Sequence, residues 1–264
     1  MTDRPRHQPV VALERRLRGC KNVVTLGVKP NFLDYSPIER ALINEAEKIY
    51  YPSSFYADLF DAMGKKTFPS YHTYKCVQDK IKQTALFEMT HIPYPRTRVF
   101  YGRRQQKTIL KYFDFPFVAK VPRGSAMGRG VFLIENRDDL EGYLAHCRPA
   151  YIQKYLPIDR DIRLVVIGQR VIHAYWRVAP AGDFRTNVSV GGAVSLDPVP
   201  PAAMDLAVDT ACRCGWDDVG IDICRYQGNY FVLEANMKYG KEGFRAAGIN
   251  YNHLMERMIA DGEI

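Results

Sequence analysis

The chain has 264 residues and carries 37 Lys and Arg against 29 Asp and Glu, a formal charge of +8. Apolar residues make up 47% and charged ones 25%, the balance of a globular chain with one or two cores, which excludes a disordered or fibrous protein. No apolar run approaches the ~20 residues of a membrane-spanning helix, so no membrane partner is expected.

The opening MTDRPRHQPVVALERRLRGC has no continuous apolar stretch of the kind a secretory leader needs. It reads as a basic N-terminal arm over 1–20, loose or in part a short helix, with Arg4, Arg6, Arg15, Arg16 and Arg18. Six cysteines form no CxxC pair, so reduced thiols and a cytoplasmic location are expected. Cys212 and Cys214 lie two apart on a predicted helix and do not face each other, which argues against a metal pair.

The first strand signal is VVTLGV at 23–28. Ser36-Pro37 then opens a helix, Ser36 as cap and Pro37 in the first turn. A strand at 48–52, a helix at 53–63 and a strand at 67–70 follow, and a helix near 76–90 closes the unit. Alternating strands and helices predict parallel pairing. Residues 21–95 therefore form a shortened parallel α/β domain, without a GxGxxG.

A second unit spans 96–152: a helix at 104–114, the strand FPFVAK ending in Lys120, the loop VPRGSAMGRG, the strand VFLI and a helix. The third spans 153–264. Within it, DIRLVVIGQRVIHAYWRV reads as two strands turning at Gly168-Gln169. Alternation puts Val171, His173, Tyr175 and Arg177 on one exposed or ligand-facing side. A helix at 201–214, the hairpin DVGIDICRYQGNYFVLEANM and a last helix from Phe244 complete the chain.

Three features carry chemistry. Lys120 precedes the loop 124–130, where Gly124, Gly128 and Gly130 let backbone amides approach an anion and Ser125 adds a hydroxyl. A flap over phosphates and an ordinary glycine-rich hairpin both fit this pattern. Glu234 and Asn236 share one face of a strand, with Asp222 brought beside them by the hairpin. Acidic groups in apolar strands need a partner or a cation, so the set is either a magnesium seat or a salt-bridged network with Lys238 or Arg225. Between these features, Asp161, Arg163, Arg177, Arg185 and Asn187 offer arginines suited to phosphates or carboxylates. His173 has no carboxylate at a defined spacing and reads as a polar sheet residue. The positive charge also admits a nucleic-acid partner, as the lesser reading.

The order of VAKVPRGSAMGRGV, YIQKYL, DIRLVVIGQRVIHAYWR, GDFRTNVSVGG, VGIDI, FVLEAN and YGKEGF resembles the ATP-grasp superfamily, and most closely its RimK-like branch of ATP-dependent glutamate ligases. The resemblance runs from about 77 to 260. It implies a mixed α/β and α+β chain, an ATP-grasp fold whose two lobes (96–152 and 153–264) clasp ATP behind the shortened N-terminal domain. Lys80, Lys120 and the glycine loop would contact phosphates. Lys154 and Tyr155 would form the adenine hinge, and Asp161 would contact the nucleotide. Arg185 and Asn187 would lie near phosphates and substrate, and Arg163, Arg177 and Arg185 would act in catalysis. Asp222, Glu234 and Asn236 would hold Mg2+, with Mn2+ as substitute.

Such proteins join a carboxylate to an amine through an acylphosphate, releasing ADP and phosphate. The implied partners are a carboxylate-bearing acceptor and an amine donor, such as an amino acid or an acidic peptide, and a homo-oligomer. A phosphotransferase and a nonenzymatic nucleotide-binding module are the alternatives. Two departures stand out: Lys154 replaces a frequent glutamate at the hinge, and Met237-Lys238-Tyr239-Gly240 replaces the usual small-residue-Pro-Gly turn. Because that turn borders the acceptor site, glutamate specificity does not carry over.

Overall fold

Ser36 caps the first helix as its spacing predicts. Its side chain accepts the Glu39 N–H while the Glu39 carboxylate accepts the Ser36 N–H, with Pro37 at the first position, so the orphan amides of the first turn are satisfied reciprocally. This helix, α1 (Pro37–Glu45), belongs to a four-stranded parallel sheet of order β2-β1-β3-β4. The strands are β1 (Val10–Ala12), β2 (Val23–Thr25), β3 (Lys48–Tyr50) and β4 (Lys66–Phe68), with α2 (Ser53–Ala62) before β4. The structure is a computed structural model and describes residues 9–124, 130–183, 185–186 and 191–264.

Within 9–20 the expected arm is instead built into the fold. Val10–Ala12 pairs in parallel with both β2 and β3, and Val11, Ala12, Leu13 and Leu17 are fully buried. The short apolar run between charged residues has enough burial to form an inner strand, a gain that composition over twenty residues averages away.

Predicted helices break where polar side chains compete for the backbone. The helix expected near 76–90 is two, α3 (Tyr71–Val77) and α4 (Lys80–Met89), because Asp79 accepts the Ile81 and Lys82 N–H groups as an N-cap. The helix expected over 104–114 is a short α5 (Gly102–Gln106) and a 3-10 turn at Ile109–Lys111, with the Thr108 hydroxyl bonded back to the Gln105 carbonyl. The final helix is likewise two, α8 (Glu242–Ala246) and α9 (Tyr251–Ala260), the second capped by Asn250.

The small lobe is an antiparallel sheet of order β5-β8-β6-β7, made of β5 (Thr97–Phe100), β6 (Phe117–Lys120), β7 (Val131–Ile134) and β8 (Ala150–Lys154), with α6 (Arg137–His146) packed on it. The large lobe is an antiparallel sheet of order β11-β10-β9-β12-β13, made of β9 (Arg160–Ile167), β10 (Arg170–Val178), β11 (Ala193–Ser195), β12 (Asp218–Tyr226) and β13 (Asn229–Asn236). One face of this sheet packs on α7 (Pro201–Cys214) through Ile162, Leu164, Val166, Ile221 and Ile223. Val171 joins that face with Ala174 and Trp176, contrary to the expected alternation. The register slips by one residue between Val171 and His173, and such a bulge turns the side chains on either side of it to opposite faces. No helix among the described residues is long and apolar enough to cross a membrane.

Candidate functional site

On the sheet face away from α7, charged side chains form a row across four strands, paired in sign except at its β12–β13 end. Arg177 of β10 is directly opposite Asp161 of β9, Arg163 of β9 is opposite Asp222 of β12, and Asp222 is opposite Glu234 of β13. Asp161 and Arg163 are two apart and share a face. Arg177 donates from Nε to Asp161 Oδ1 at 2.8 Å and from Nη2 to Asp161 Oδ2 at 2.6 Å, and its Nη2 also lies 2.9 Å from Asp222 Oδ2. Arg163 forks onto both Asp222 oxygens and donates to the Tyr239 carbonyl at 2.9 Å. Thr186 donates to Asp161 at 2.7 Å. Arg163, Arg177, Asp161 and Asp222 are all buried.

Burial pushes the Asp222 carboxyl up, but the Arg163 and Arg177 guanidiniums together outweigh it and hold the group below its ordinary value. Burial also opposes the charge on Arg177, and Asp161 and Asp222 overcome it, raising its pKa. The expected exposed or ligand-facing side of β10 is thus an internal ion-pair layer at Arg177, and Tyr175 is buried with it. His173 packs against Tyr175 and Phe244 at 5.4 and 4.9 Å between ring centres, and burial lowers its pKa, partly offset by a hydrogen bond to the Gly243 backbone.

The row ends on α4. Lys80 Nζ lies 3.0 Å from Glu234 Oε1. Gln83 pairs with both backbone groups of Ala235, donating to its carbonyl at 2.9 Å and accepting its N–H at 2.8 Å. The Gln83 amide thereby satisfies the outer edge of β13 and fixes Lys80 beside Glu234. Sequence reading missed Gln83, and its only local signal is a polar residue on the buried side of a helix. At the helix start, Asp79 takes a 2.7 Å bond from Arg123, and the Lys80 N–H reaches the Pro122 carbonyl at 3.1 Å. These contacts tie α4 to the loop after β6, so Lys80 stands near the buried Lys120. Burial lowers the Lys120 pKa, with Lys80 acting in the same direction and Glu234 and Asp222 opposing.

The predicted loop closes where Val121 N–H meets the Gly130 carbonyl at 2.7 Å. Gly124 and Gly130 have φ of +70° and +79°, a region that strains other L-residues. Ser125, Gly128 and Asn187 lie outside the described residues. Lys154 ends β8 and is exposed, with Tyr155 half-buried after it. Arg185 is not in the charged row: it forks onto Asp183 at 2.7–3.2 Å. Lys238 and Arg225 are not the partners of Asp222 or Glu234; Arg163, Arg177 and Lys80 are.

The donor set fits a cation bridging β12 and β13. Like charges directly opposite on neighbouring strands repel, and Asp222 faces Glu234 beside a register shift at Ile223. Three guanidinium N–H groups reach Asp222 out of about four lone-pair sites on a carboxylate, which leaves a site for a metal. Asn236 is opposite Gly220, which contributes no side chain of its own beside it. Among the described residues no three His, Cys, Asp or Glu side chains gather. Two carboxylates and an amide suit magnesium, which keeps waters and phosphate oxygens in its shell.

The N-terminal segment covers the other end of this same sheet face. The Arg16 guanidinium lies 4.3 Å over the Tyr239 ring and 5.4 Å from Tyr51 and Tyr251, and donates to the Met237 carbonyl at 3.2 Å. Asp218 accepts from the Tyr51 and Tyr239 hydroxyls at 2.8 and 2.7 Å. Tyr239 therefore holds a structural position in the segment 237–240, packed on Gly220. A Cβ at Gly220 would sit 2.3 Å from Tyr239 Cβ and 3.1 Å from Arg163 Cδ. The substitution Gly220→Ala is expected to cost about 1–3 kcal/mol of stability, read as a lowered urea midpoint.

Residues 77–259 match the family model described as the RimK-like ATP-grasp domain. The chain is 32% identical over 193 residues to ribosomal protein bS6–L-glutamate ligase of Salmonella paratyphi B, a match covering 69% of this chain and 62% of that protein. The same enzyme of Salmonella newport matches equally. Among solved structures, a RimK domain ATP-grasp protein from Sphaerobacter thermophilus superposes with a TM-score of 0.71 at 18% identity, over 94% of this chain and 98% of that one. D-alanine–D-alanine ligase from Bacillus anthracis gives 0.67 at 15% identity, over 90% and 85%. The two clasping sheets behind a parallel N-terminal unit are the ATP-grasp fold, and the chain belongs to the RimK-like ATP-grasp family.

Proposed function

We propose that this chain is a cytoplasmic, ATP- and magnesium-dependent carboxylate–amine ligase. The observation that carries the reading is the opposed pair Asp222 and Glu234, held by Arg163 and Arg177 on one side and facing two buried lysines, Lys80 and Lys120, on the other. That array can accept a polyphosphate and a divalent cation with little rearrangement.

ATP would lie between the two antiparallel sheets, its adenine at Lys154 and Tyr155 and its phosphates under 124–130. Lys80 would exchange Glu234 for a phosphate oxygen, freeing Glu234 to join Asp222 and Asn236 as metal ligands. When bound, magnesium would offset charge on the β- and γ-phosphates. Arg163 and Arg177 are engaged by Asp222, Asp161 and the Tyr239 carbonyl and would act as positioning residues, fixing Asp222 and Asp161. Arg185, with its side chain one-third exposed, would leave Asp183 and hold an acylphosphate oxygen. An acceptor carboxylate oxygen would attack the γ-phosphorus, breaking its bond to the bridging oxygen and releasing ADP. The amine nitrogen would then attack the acyl carbon, phosphate would leave, and the amine proton would pass to solvent.

The relatives' printed names, a bS6–L-glutamate ligase and a D-alanine–D-alanine ligase, support an amino acid as one substrate. Incubation with magnesium-ATP and a panel of carboxylates and amines, read by mass spectrometry with ADP in parallel, tests the reading. A product heavier by the amine less one water, matched by ADP, is the expected result. AMP with pyrophosphate would overturn it, and a stable phosphorylated product with ADP would make the chain a phosphotransferase.

A further inference from the structure

We infer that the outer edge of the small lobe is a docking site for an extended acidic polypeptide, separate from the ATP cleft. A groove of about 460 Å3 runs between α4 and β5, within the ~300–1,000 Å3 of ligand-binding pockets. Ile81, Ala85 and Glu88 of α4 form one wall, and Arg98, Tyr101 and Tyr112 stand on the other side. Lys80 and Gln83 of the same helix reach Glu234 and Ala235 instead, so α4 separates the groove from the charged row.

Two features select the ligand's chemistry. The first is charge. From Met89 to Phe113 the chain has no Asp or Glu, yet carries Arg96, Arg98, Arg103, Arg104, Lys107 and Lys111. The two arginines in the groove sit over aromatic rings: Arg98 lies 3.8 Å from the Tyr112 ring centre, and Arg96 lies 4.7 Å from the Phe113 ring centre while donating to the Tyr112 carbonyl at 2.7 Å. Stacking fixes a guanidinium's plane and leaves in-plane N–H groups for bidentate carboxylate recognition.

The second feature is backbone. β5 is an edge strand, paired on one side only, with β8. Such an edge presents unpaired N–H and C=O groups that another strand can take up. Nucleic acid cannot use that edge, and Glu88 on the wall disfavours an unbroken run of phosphates. A peptide strand bearing a carboxylate at every second residue meets both requirements.

Docking is read without turnover, so it stands or falls apart from the ligase chemistry. If both hold, the bound chain would present its side chains to the cleft at raised effective concentration.

The test uses the full chain and a fluorescein-labelled alternating Glu–Thr peptide of about eight residues, followed by anisotropy at low ionic strength. The double variant Arg96→Glu, Arg98→Glu is expected to bind at least ~10-fold more weakly, while Arg103→Glu, Arg104→Glu, with the same change in charge, weakens binding less than ~3-fold. Arg98→Gln, which leaves no guanidinium on Tyr112 and adds no repulsion, gives an intermediate loss. Thermal melting confirms that each variant is folded. The peptide N-methylated on alternate amides, and an oligothymidylate of equal charge, should both bind more weakly. Equal losses in the two double variants would reduce the effect to net charge and overturn the site. Undiminished binding of the N-methylated peptide would overturn strand addition, and equally tight oligothymidylate binding would make the surface a general polyanion site.

Discussion

Replacing Asp222 by Asn is expected to remove about 3–5 kcal/mol of folding stability at neutral pH, because the amide leaves two buried guanidiniums without their shared counter-charge. Asp222 receives N–H groups from both Arg163 and Arg177, and all three residues are at most 5% exposed. The pH dependence follows from the carboxyl's lowered pKa. A carboxyl held low in the folded state contributes its full stability above its unfolded value of ~3.9, and loses that contribution as pH falls through the folded value. The gap between wild type and Asp222→Asn should therefore be widest near neutrality and narrow below about pH 4. Urea unfolding at neutral and acid pH checks both statements. A gap that did not change with pH would mean that packing, rather than charge, makes the difference.

The second large effect is on chemistry. Glu234→Gln keeps the shape of the side chain but removes the charge that Lys80 now faces and that the proposed metal would need. A loss of at least ~100-fold in kcat/KM is expected, about 2.7 kcal/mol at the transition state, with a thermal midpoint within a few degrees of wild type. The midpoint should hold because Glu234 sits at the edge of the row, more exposed than Asp222. Full turnover in the variant would remove Glu234 from the proposed metal site. The two substitutions therefore separate Asp222, whose charge the fold needs as well as the proposed metal, from Glu234, whose charge chiefly serves the proposed ligand.

Much of this was legible in the residues. The hairpins β9–β10 and β12–β13 were marked by Gly168 and by Gln227-Gly228, the α1 cap by Ser36-Pro37, and the family by the order of its motifs. Turns and caps are local: a glycine at positive φ or a hydroxyl before a first helical turn acts on its immediate neighbours. Alternation then placed Glu234 with Asn236 and Asp161 with Arg163 on shared faces, since strand periodicity is also local.

The tertiary structure decided which charges meet. Lys238 and Arg225 are nearer to Glu234 or Asp222 in sequence than Lys80, Arg163 and Arg177 are, yet strand order brings Arg163 beside Asp222 across 59 positions and packing of α4 on β13 delivers Lys80. A one-residue slip at Ile172 moved Val171 to the opposite face from His173, which no count of alternating residues shows. Docking against β2 and β3 turned part of a basic segment into the inner strand Val10–Ala12 and carried Arg16 onto three tyrosine rings. What the sequence determined by itself is therefore the set of elements and the family. Pairing across the sheet is a long-range choice, made by burial of apolar faces and by the requirement that each buried charge find a partner, and it gave Asp161, Asp222 and Glu234 their cations.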